Sequence, residues 1–293
     1  MKRRLIIYLI ISASTIAVGF FAIHHESLAI SKKNFPELSA REIIDKSLAS
    51  IQTIKTMKYN LQLTERIKGR LIHTESSVKL QRSPRKLYLY LKGPELLWLE
   101  GQNNGDALVN PYTFPYINLN LDPMGSLMRK DQHHTIHEMG YDYFANIIRN
   151  AIKLSGDKFN SLFINAGTEN WNKRPCYKII VNYPEFSIKQ YTVGAGEDMI
   201  KIARKLFLSE YMILERNPEK DSYSDISAGE IINVPNVYSK MNILLIDKEF
   251  FVPVNSKIYD DQGLFEAYEY HDLEVNPTIQ AEEFTKTYSG YHF

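Results

Sequence analysis

From residue 57 onward the chain alternates between apolar and polar positions. Tyr59, Leu61, Leu63, Glu65 and Ile67 fall on one side of an extended strand, and Asn60, Gln62, Thr64 and Arg66 on the other. That period of two marks a strand with two different faces, and Gly69 supplies a hairpin turn. Residues 71–81, 86–91, 96–100 and 106–109 continue as strands, separated by Ser83-Pro84, Gly93-Pro94 and Asn103-Asn104-Gly105. The pattern predicts an antiparallel meander. Strands return at 162–167 and 177–181, then at 241–246, 252–259 and 264–270, with turns at Asp247-Lys248 and Asp261-Gln262-Gly263. Helical spacing interrupts them. Ser39-Ala40-Arg41-Glu42 is a capping box, with Ile44, Leu48 and Ile51 along one side of the helix that follows. Residues 141–154 predict an amphipathic helix carrying Phe144, Ile147, Ile148, Ala151 and Ile152, and 279–285 a short terminal one.

One stretch has its own pattern. Tyr191, Thr192 and Val193 suit a strand, and Gly194 and Gly196 break it. Asp198 then caps a helix whose apolar positions Met199, Ile202, Ala203 and Leu206 share a face. Ser209 caps a second helix, Asn217-Pro218 closes it, and Ile231, Ile232 and Val234 form a return strand. The expected core of this βααβ segment is Ile202, Ala203, Leu206, Ile213, Leu214, Ile232 and Val234.

Residues 191–235 resemble a LysM module, the small unit that binds N-acetylglucosamine-containing glycans such as peptidoglycan and chitin. Four ordered pieces carry the resemblance: Tyr191-Thr192-Val193 before a Gly-acid step, Ile202-Ala203 with Arg204-Lys205, Leu214-Glu215-Arg216-Asn217-Pro218, and the closing ISAGEIINVP that ends at Pro235. Asp198 stands where the family usually has Thr or Ser, and Arg216 where an apolar residue is commoner. The resemblance implies a shallow sugar groove with Gly196, Glu197, Asp198 and Met199 on one side and Asn217, Pro218 and Ile226 on the other. Loop hydrogen bonds would specify the sugar and apolar side chains would cover its face. The alternative reading is a spacer or docking surface.

The flanking sequence is similar to the lipoprotein-carrier (LolA/LolB-like) superfamily. In particular it resembles an exported bacterial family of unknown function with segments like WLEGQNNGDALVNP and QHHTIHEMGYDY; the rhythm "ID-KE-F-PV … YD-G … YEY-DL-VNP" stands at residues 246–277. The resemblance implies a strongly curved antiparallel half-barrel plugged by helices, whose apolar cavity holds acyl chains in the carriers. The expected fold class is α+β: a curved antiparallel β-sheet with helices, plus an inserted βααβ LysM-like module. The expected division is 1–29 as signal peptide or membrane anchor, 30–188 with 239–293 as the half-barrel domain, and 189–238 as the module.

Charge and composition narrow the partners. With 35 basic and 34 acidic residues the formal net charge is +1, which gives no basic footprint for nucleic acid. The single cysteine, Cys176, lies in a strand-like run and is expected to be buried and inert. Met1-Lys2-Arg3-Arg4 followed by the uncharged apolar run 5–23 is an export signal. Ser27-Leu28-Ala29 suits a signal peptidase, yet the run is long enough to span a bilayer, so cleavage and anchoring stay open. Either way the body is expected in the periplasm or on the outer face of the cytoplasmic membrane, with membrane contact through residues 5–23 if they are retained.

The one histidine cluster is His133-His134-Thr135-Ile136-His137-Glu138. His133 and His137, four residues apart, would share a helical face and are the candidates for a metal site, but polar histidines at a helix start are more often caps and hydrogen-bonding partners, so no metal is expected. The pattern is not HExxH, and no third ligand accompanies it. No paired carboxylates or nucleophile triad can be assembled, so no cofactor is expected. The leading expectation is a non-catalytic cell-envelope binding protein, with peptidoglycan or a related glycan on the module and lipid or a lipoprotein acyl chain in the half-barrel. The alternatives are a metal-dependent envelope enzyme using His133, His134 and His137 with Glu138, and a structural scaffold.

Overall fold

The computed structural model describes residues 37–114 and 116–293. The expected signal or anchor at 1–29 and residues 30–36 after it lie outside these residues; among the described residues no helix is long and apolar enough to cross a membrane. Helix α1 (Ala40–Thr53) starts as its capping box dictates: the Ser39 side chain accepts from the Glu42 amide, and the Glu42 carboxylate accepts from the Ser39 amide. Strands β1 (Thr56–Ile67) and β2 (Arg70–Arg82) form a hairpin through Lys68 and Gly69, both at positive φ. That is the backbone a two-residue hairpin needs to match strand twist. The meander continues through β3 (Arg85–Tyr90), β4 (Glu95–Leu99), β5 (Ala107–Asn110) and β6 (Leu119–Leu121).

After helix α2 (Asp142–Ser155) and the single turn α3 (Phe159–Leu162) come β7 (Phe163–Trp171) and β8 (Arg174–Asn182). The βααβ segment follows as β9 (Ile188–Thr192), α4 (Met199–Leu206), α5 (Glu210–Glu215) and β10 (Ile231–Pro235). Strands β11 (Met241–Asp247), β12 (Pro253–Asp260) and β13 (Gly263–Val275) complete the chain's sheet. Among the described residues the order is β6-β5-β4-β3-β2-β1-β13-β12-β11-β8-β7, an open sheet of 11 strands whose ladders are all antiparallel. The strands on either side of the βααβ segment, β8 and β11, are neighbours in this sheet, so the excursion leaves and returns at one place. The terminal segment expected to be an α-helix is only a 3-10 turn, Ala281–Phe284.

The apolar phase of the strands builds two adjoining cores. One gathers Met57, Tyr59, Leu61, Val78, Leu80, Leu87, Leu89 and Val254, and the other packs Ile43 and Ile44 of α1 on Ile179, Val181, Leu244 and Ile246. Cys176 is fully buried as expected, and burial pushes its thiol up to about 12.

The βααβ segment closes on a third core of Val193, Met199, Ile202, Ala203, Leu208, Ile213, Ile232 and Val234, with Leu206 and Leu214 packed against it. Among the described residues its two strands pair only with each other. Asp198 accepts from the Lys201 amide at 2.7 Å and Ser209 from the Met212 amide at 3.4 Å, so both predicted caps form. The segment is also fastened to the main sheet. Tyr211 and Met212 pack on Ile67, Ile258 and Phe265, while Arg66 bridges Glu215 and Asp260, and Arg216 reaches Asp260 as well.

Candidate functional site

A cavity of about 500 Å³ lies between the sheet and α2. Its walls come from alternating positions: Tyr59, Leu61, Leu63 and Glu65 of β1, Ile72 and Thr74 of β2, Leu89, Leu96 and Val109 beyond, and Tyr268 and Tyr270 of β13. One volume touched by strands from both halves of the order requires the sheet to curl around it. Helix α2 covers it with Phe144, Ile147, Ile148, Ala151 and Leu154, a stripe at helical spacing. Ile72, Leu127, Leu154 and Phe207 line it while remaining exposed, which gives an apolar rim.

One part of the wall is charged. Glu65 and Glu266 are direct cross-strand partners on β1 and β13, and both are buried. The loop before α2 delivers two histidines to them. His133 is fully buried, stacked between Tyr211 and Phe265 at centroid distances of 4.5 and 4.1 Å. Its amide donates to Glu65 Oε1 at 3.0 Å, Nδ1 lies 2.9 Å from Glu266 Oε2, and Nε2 lies 2.9 Å from the Arg66 carbonyl. A carbonyl only accepts, so Nε2 carries a proton. His134 Nε2 sits 3.2 Å from Glu266 Oε2, and the Tyr238 hydroxyl donates to Glu266 Oε1 at 2.6 Å. The Nδ1 atom of His134 is buried with no hydrogen-bond partner among the described residues.

The electrostatics follow from burial and these contacts. Burial alone would drive the Glu266 carboxyl upward; the positive charge of His134 and hydrogen bonds from both histidines override it and hold it far below its ordinary value. Burial pulls His134 down, but Glu266, Glu138 and Glu210 carry it up to about 9. Glu65 is raised, with burial the leading cause.

The histidine cluster is therefore divided differently from its sequence spacing. Residues 136–138 form a 3-10 turn, not an α-helix, so positions four apart do not share a face. His137 is exposed and packs edge-on against Trp98, centroids 4.9 Å apart. Glu138 caps its own turn through Thr135 and pairs with Arg204. Among the described residues, the set whose ligating atoms lie within 4.8 Å of one another is Glu65, His133 and Glu266; His137 is not in it. The glutamates went unnoticed in the sequence, although Glu65 stands in the inward apolar phase of β1, where a charge is out of place.

The expected sugar groove is also redistributed. Met199 is fully buried in the βααβ core. Asn217 is buried too: Nδ2 donates to the Ile213 and Asn233 carbonyls at 2.7 and 2.8 Å, and Oδ1 accepts from the Asn233 amide at 2.8 Å. With all of these made, it ties α5 to β10 and offers a ligand nothing. Glu197 folds back onto Tyr191, the Gly194 amide and Lys205. Asp198 is occupied as a cap, whereas Gly196 at φ +72° and Pro218 are exposed and Ile226 half-buried. No Cβ contact would form within 4 Å of Gly196, so the space beside it is open.

The sequence matches the family described as "Protein of unknown function (DUF1571)" over residues 54–193. No curated protein matches it. Among solved structures, it is similar to lipoprotein LppX of Mycobacterium tuberculosis, at 12% identity and a TM-score of 0.38, covering 82% of this chain and 97% of that one. It is similar to a LolA superfamily protein from Nitrosomonas europaea at 10% identity and a TM-score of 0.32, covering 86% of this chain and 100% of that one. It is also similar to the Pseudomonas aeruginosa MucA/MucB complex, at 11% identity and a TM-score of 0.38, covering 84% of this chain and 60% of the matched chain. Likeness at this level carries nothing about ligand or activity, which rest on this chain's own residues.

Proposed function

We propose that this is a non-catalytic binding protein of the cell envelope whose main cavity holds the acyl chain of a lipid or lipoprotein. The observation that carries the reading is the cavity itself. At about 500 Å³ it falls in the range of small-molecule sites, roughly 300–1,000 Å³, and its walls are mainly Leu, Ile, Val, Phe and Tyr. A well-packed domain leaves few voids larger than a water molecule, so an apolar volume of this size under a single helix suits an apolar guest. The exposed apolar rim suits entry of such a guest from a lipid phase. The experiment is mass spectrometry of an organic extract of the purified full chain, with binding of a fluorescent fatty acid measured alongside. Near-stoichiometric acyl lipid and saturable displacement are expected. An extract without lipid and no fatty-acid binding would leave the cavity an unfilled structural void.

A second binding activity is supported by the βααβ segment, which has the element order, caps and self-contained core that its LysM resemblance implies. We assign it N-acetylglucosamine glycan, peptidoglycan in the first instance, along the surface formed by Gly196, Pro218 and Ile226. Co-sedimentation of the full chain with insoluble peptidoglycan, competed by chitin oligomers, tests it. If neither glycan binds, the segment is a docking surface.

A further inference from the structure

We propose that Glu65, His133 and Glu266 bind one divalent first-row transition-metal cation of the zinc class, held on the wall of the cavity. This goes beyond lipid or glycan binding and rests on neither. The register of β1 and β13 sets Glu65 directly opposite Glu266. Like charges so placed oppose strand pairing, and both carboxylates are at most 4% exposed. Buried carboxylates of this kind call for compensating positive charge; His134 supplies it to Glu266 from one side at 3.2 Å, and the ion would supply it to both carboxylates at once. Once His133 Nδ1 releases the proton it now shares with Glu266 Oε2, two carboxylates and a neutral imidazole present two negative charges to one point, and one divalent cation balances them.

The geometry fits. The donor atoms lie within 4.8 Å of one another, with His133 Nδ1 at 2.9 Å from Glu266 Oε2 and 4.0 Å from Glu65 Oε1. Zinc bonds of about 2.0–2.1 Å in tetrahedral arrangement separate ligand atoms by roughly 3.3 Å, between these two values, so small side-chain shifts close the site. His133 is prepared as a ligand: Nε2–H donates to the Arg66 carbonyl at 2.9 Å, and Nδ1, which lies 2.9 Å from Glu266 Oε2, takes the ion in place of its proton. Such an outer hydrogen bond fixes tautomer and ring orientation at metal-binding histidines, and here Tyr211 and Phe265 clamp the ring as well. Tyr238 and His134 orient the Glu266 carboxylate in the same way.

The donor set also selects the ion. One imidazole and two carboxylates suit zinc-class metals, whereas calcium takes six to eight oxygen ligands. Glu65 and Glu266 both line the cavity, which provides an entry path.

The test is metal analysis of the full chain after chelator treatment and dialysis against zinc, with thermal unfolding in zinc and in calcium. About one retained zinc per chain and a saturable rise in Tm with zinc but not calcium are expected. Losing an outer hydrogen-bonding partner of a metal ligand costs roughly 10–100-fold in affinity, so Tyr238→Phe should weaken zinc at least about tenfold. Glu65→Gln should weaken it no less, while keeping an acceptor for the His133 amide and hence the local shape. His133→Ala removes a stacked core ring and is informative only if the variant folds; Glu65→Gln decides in either case. Failure to retain zinc together with an unmoved Tm overturns the site. Retention unchanged in both Glu65→Gln and Glu266→Gln overturns it too, because the zinc then sits elsewhere. Lipid content is read separately on the same samples, so an empty cavity and an empty metal site give different results.

Discussion

The main sheet and the βααβ segment solve the same packing problem in opposite ways. In the small segment two short helices and a hairpin fill their interior completely: Met199, Ile202, Ala203 and Ile213 have no exposed surface. Its polar side chains are spent on itself, Asp198 and Ser209 as caps and Asn217 as a clasp. The large sheet curls further than one helix can fill, so α2 covers a cavity instead of a core, and charged groups stand on the cavity wall. The difference teaches where a ligand can go. The sheet can bind by enclosure, with apolar area and buried charge as its means. The segment can bind only on its outside, through loop backbone and a few surface side chains.

The sharpest way to break the comparison is to separate the two regions. Replacing residues 189–238 with a short Gly-Ser linker removes Tyr211 and Met212 from Ile67, Ile258 and Phe265. Each large side chain lost from burial costs about 1.5–3 kcal/mol, so the remaining sheet should fold with about 3–6 kcal/mol less stability by urea denaturation. Arg66 and Asp260 keep each other, which limits the loss. Unchanged stability would make the segment a loosely tethered insert. A chain that no longer folds would make it part of the main core.

Within the segment, Asn217→Ala should have the next largest effect. It removes three hydrogen bonds, one to the buried Ile213 carbonyl of α5 and two to the part-buried amide and carbonyl of Asn233 in β10. Each unsatisfied group costs about 1–3 kcal/mol, and hydrogen exchange should show α5 and β10 opening together. Glycan affinity should fall as a consequence of that opening. A loss of glycan binding with unaltered exchange would instead put Asn217 in contact with sugar.

On the cavity side the expected change is in binding, not folding. Leu63 lies on the cavity wall and is only half-buried, so Leu63→Trp grows into open volume. Fatty-acid affinity should drop about tenfold, which is about 1.4 kcal/mol, with Tm nearly unmoved. Undiminished affinity would mean the guest lies elsewhere.

Most of the architecture was legible because it is local. Period-two alternation gave the strands, and Ser39, Asp198 and Ser209 gave helix starts that the structure repeats. What stayed hidden depends on register and facing. The alternation of β1 shows Glu65 as a charge in phase with its apolar neighbours, but only its pairing with β13 brings Glu266 opposite it. The apolar stripe of α2 would look the same over a filled core as over a cavity. Helical spacing pairs His133 with His137, but the short 3-10 turn sends them to different surroundings. Met199 and Asn217 hold groove positions in sequence, yet position along a loop does not say whether a side chain points in or out.

The smallest effect separates the two kinds of charge. On the cavity wall Glu266 is shielded from water, but Glu197 of the βααβ segment stands at the surface beside Lys205. Lys205, with the Gly194 amide and the Tyr191 hydroxyl, holds the Glu197 carboxyl down at about 2. An ordinary glutamate titrates near 4.3, so the folded state binds a proton less readily than the unfolded chain. The contribution to stability is therefore fully present above about pH 4.3, and it is lost as pH falls through 2. Water and salt screen an exposed pair of this kind, so Glu197→Gln should lower Tm only slightly at pH 6, less in high salt, and not at all well below pH 2. An NMR titration of the Glu197 carboxyl gives the direct reading. A midpoint near 4.3 would mean that Lys205 does not hold it, leaving the carboxylate free to face a glycan and repel acidic stem peptides. A midpoint near 2 would leave the outer surface of the segment nearly neutral at that point, as recognition of an uncharged sugar requires.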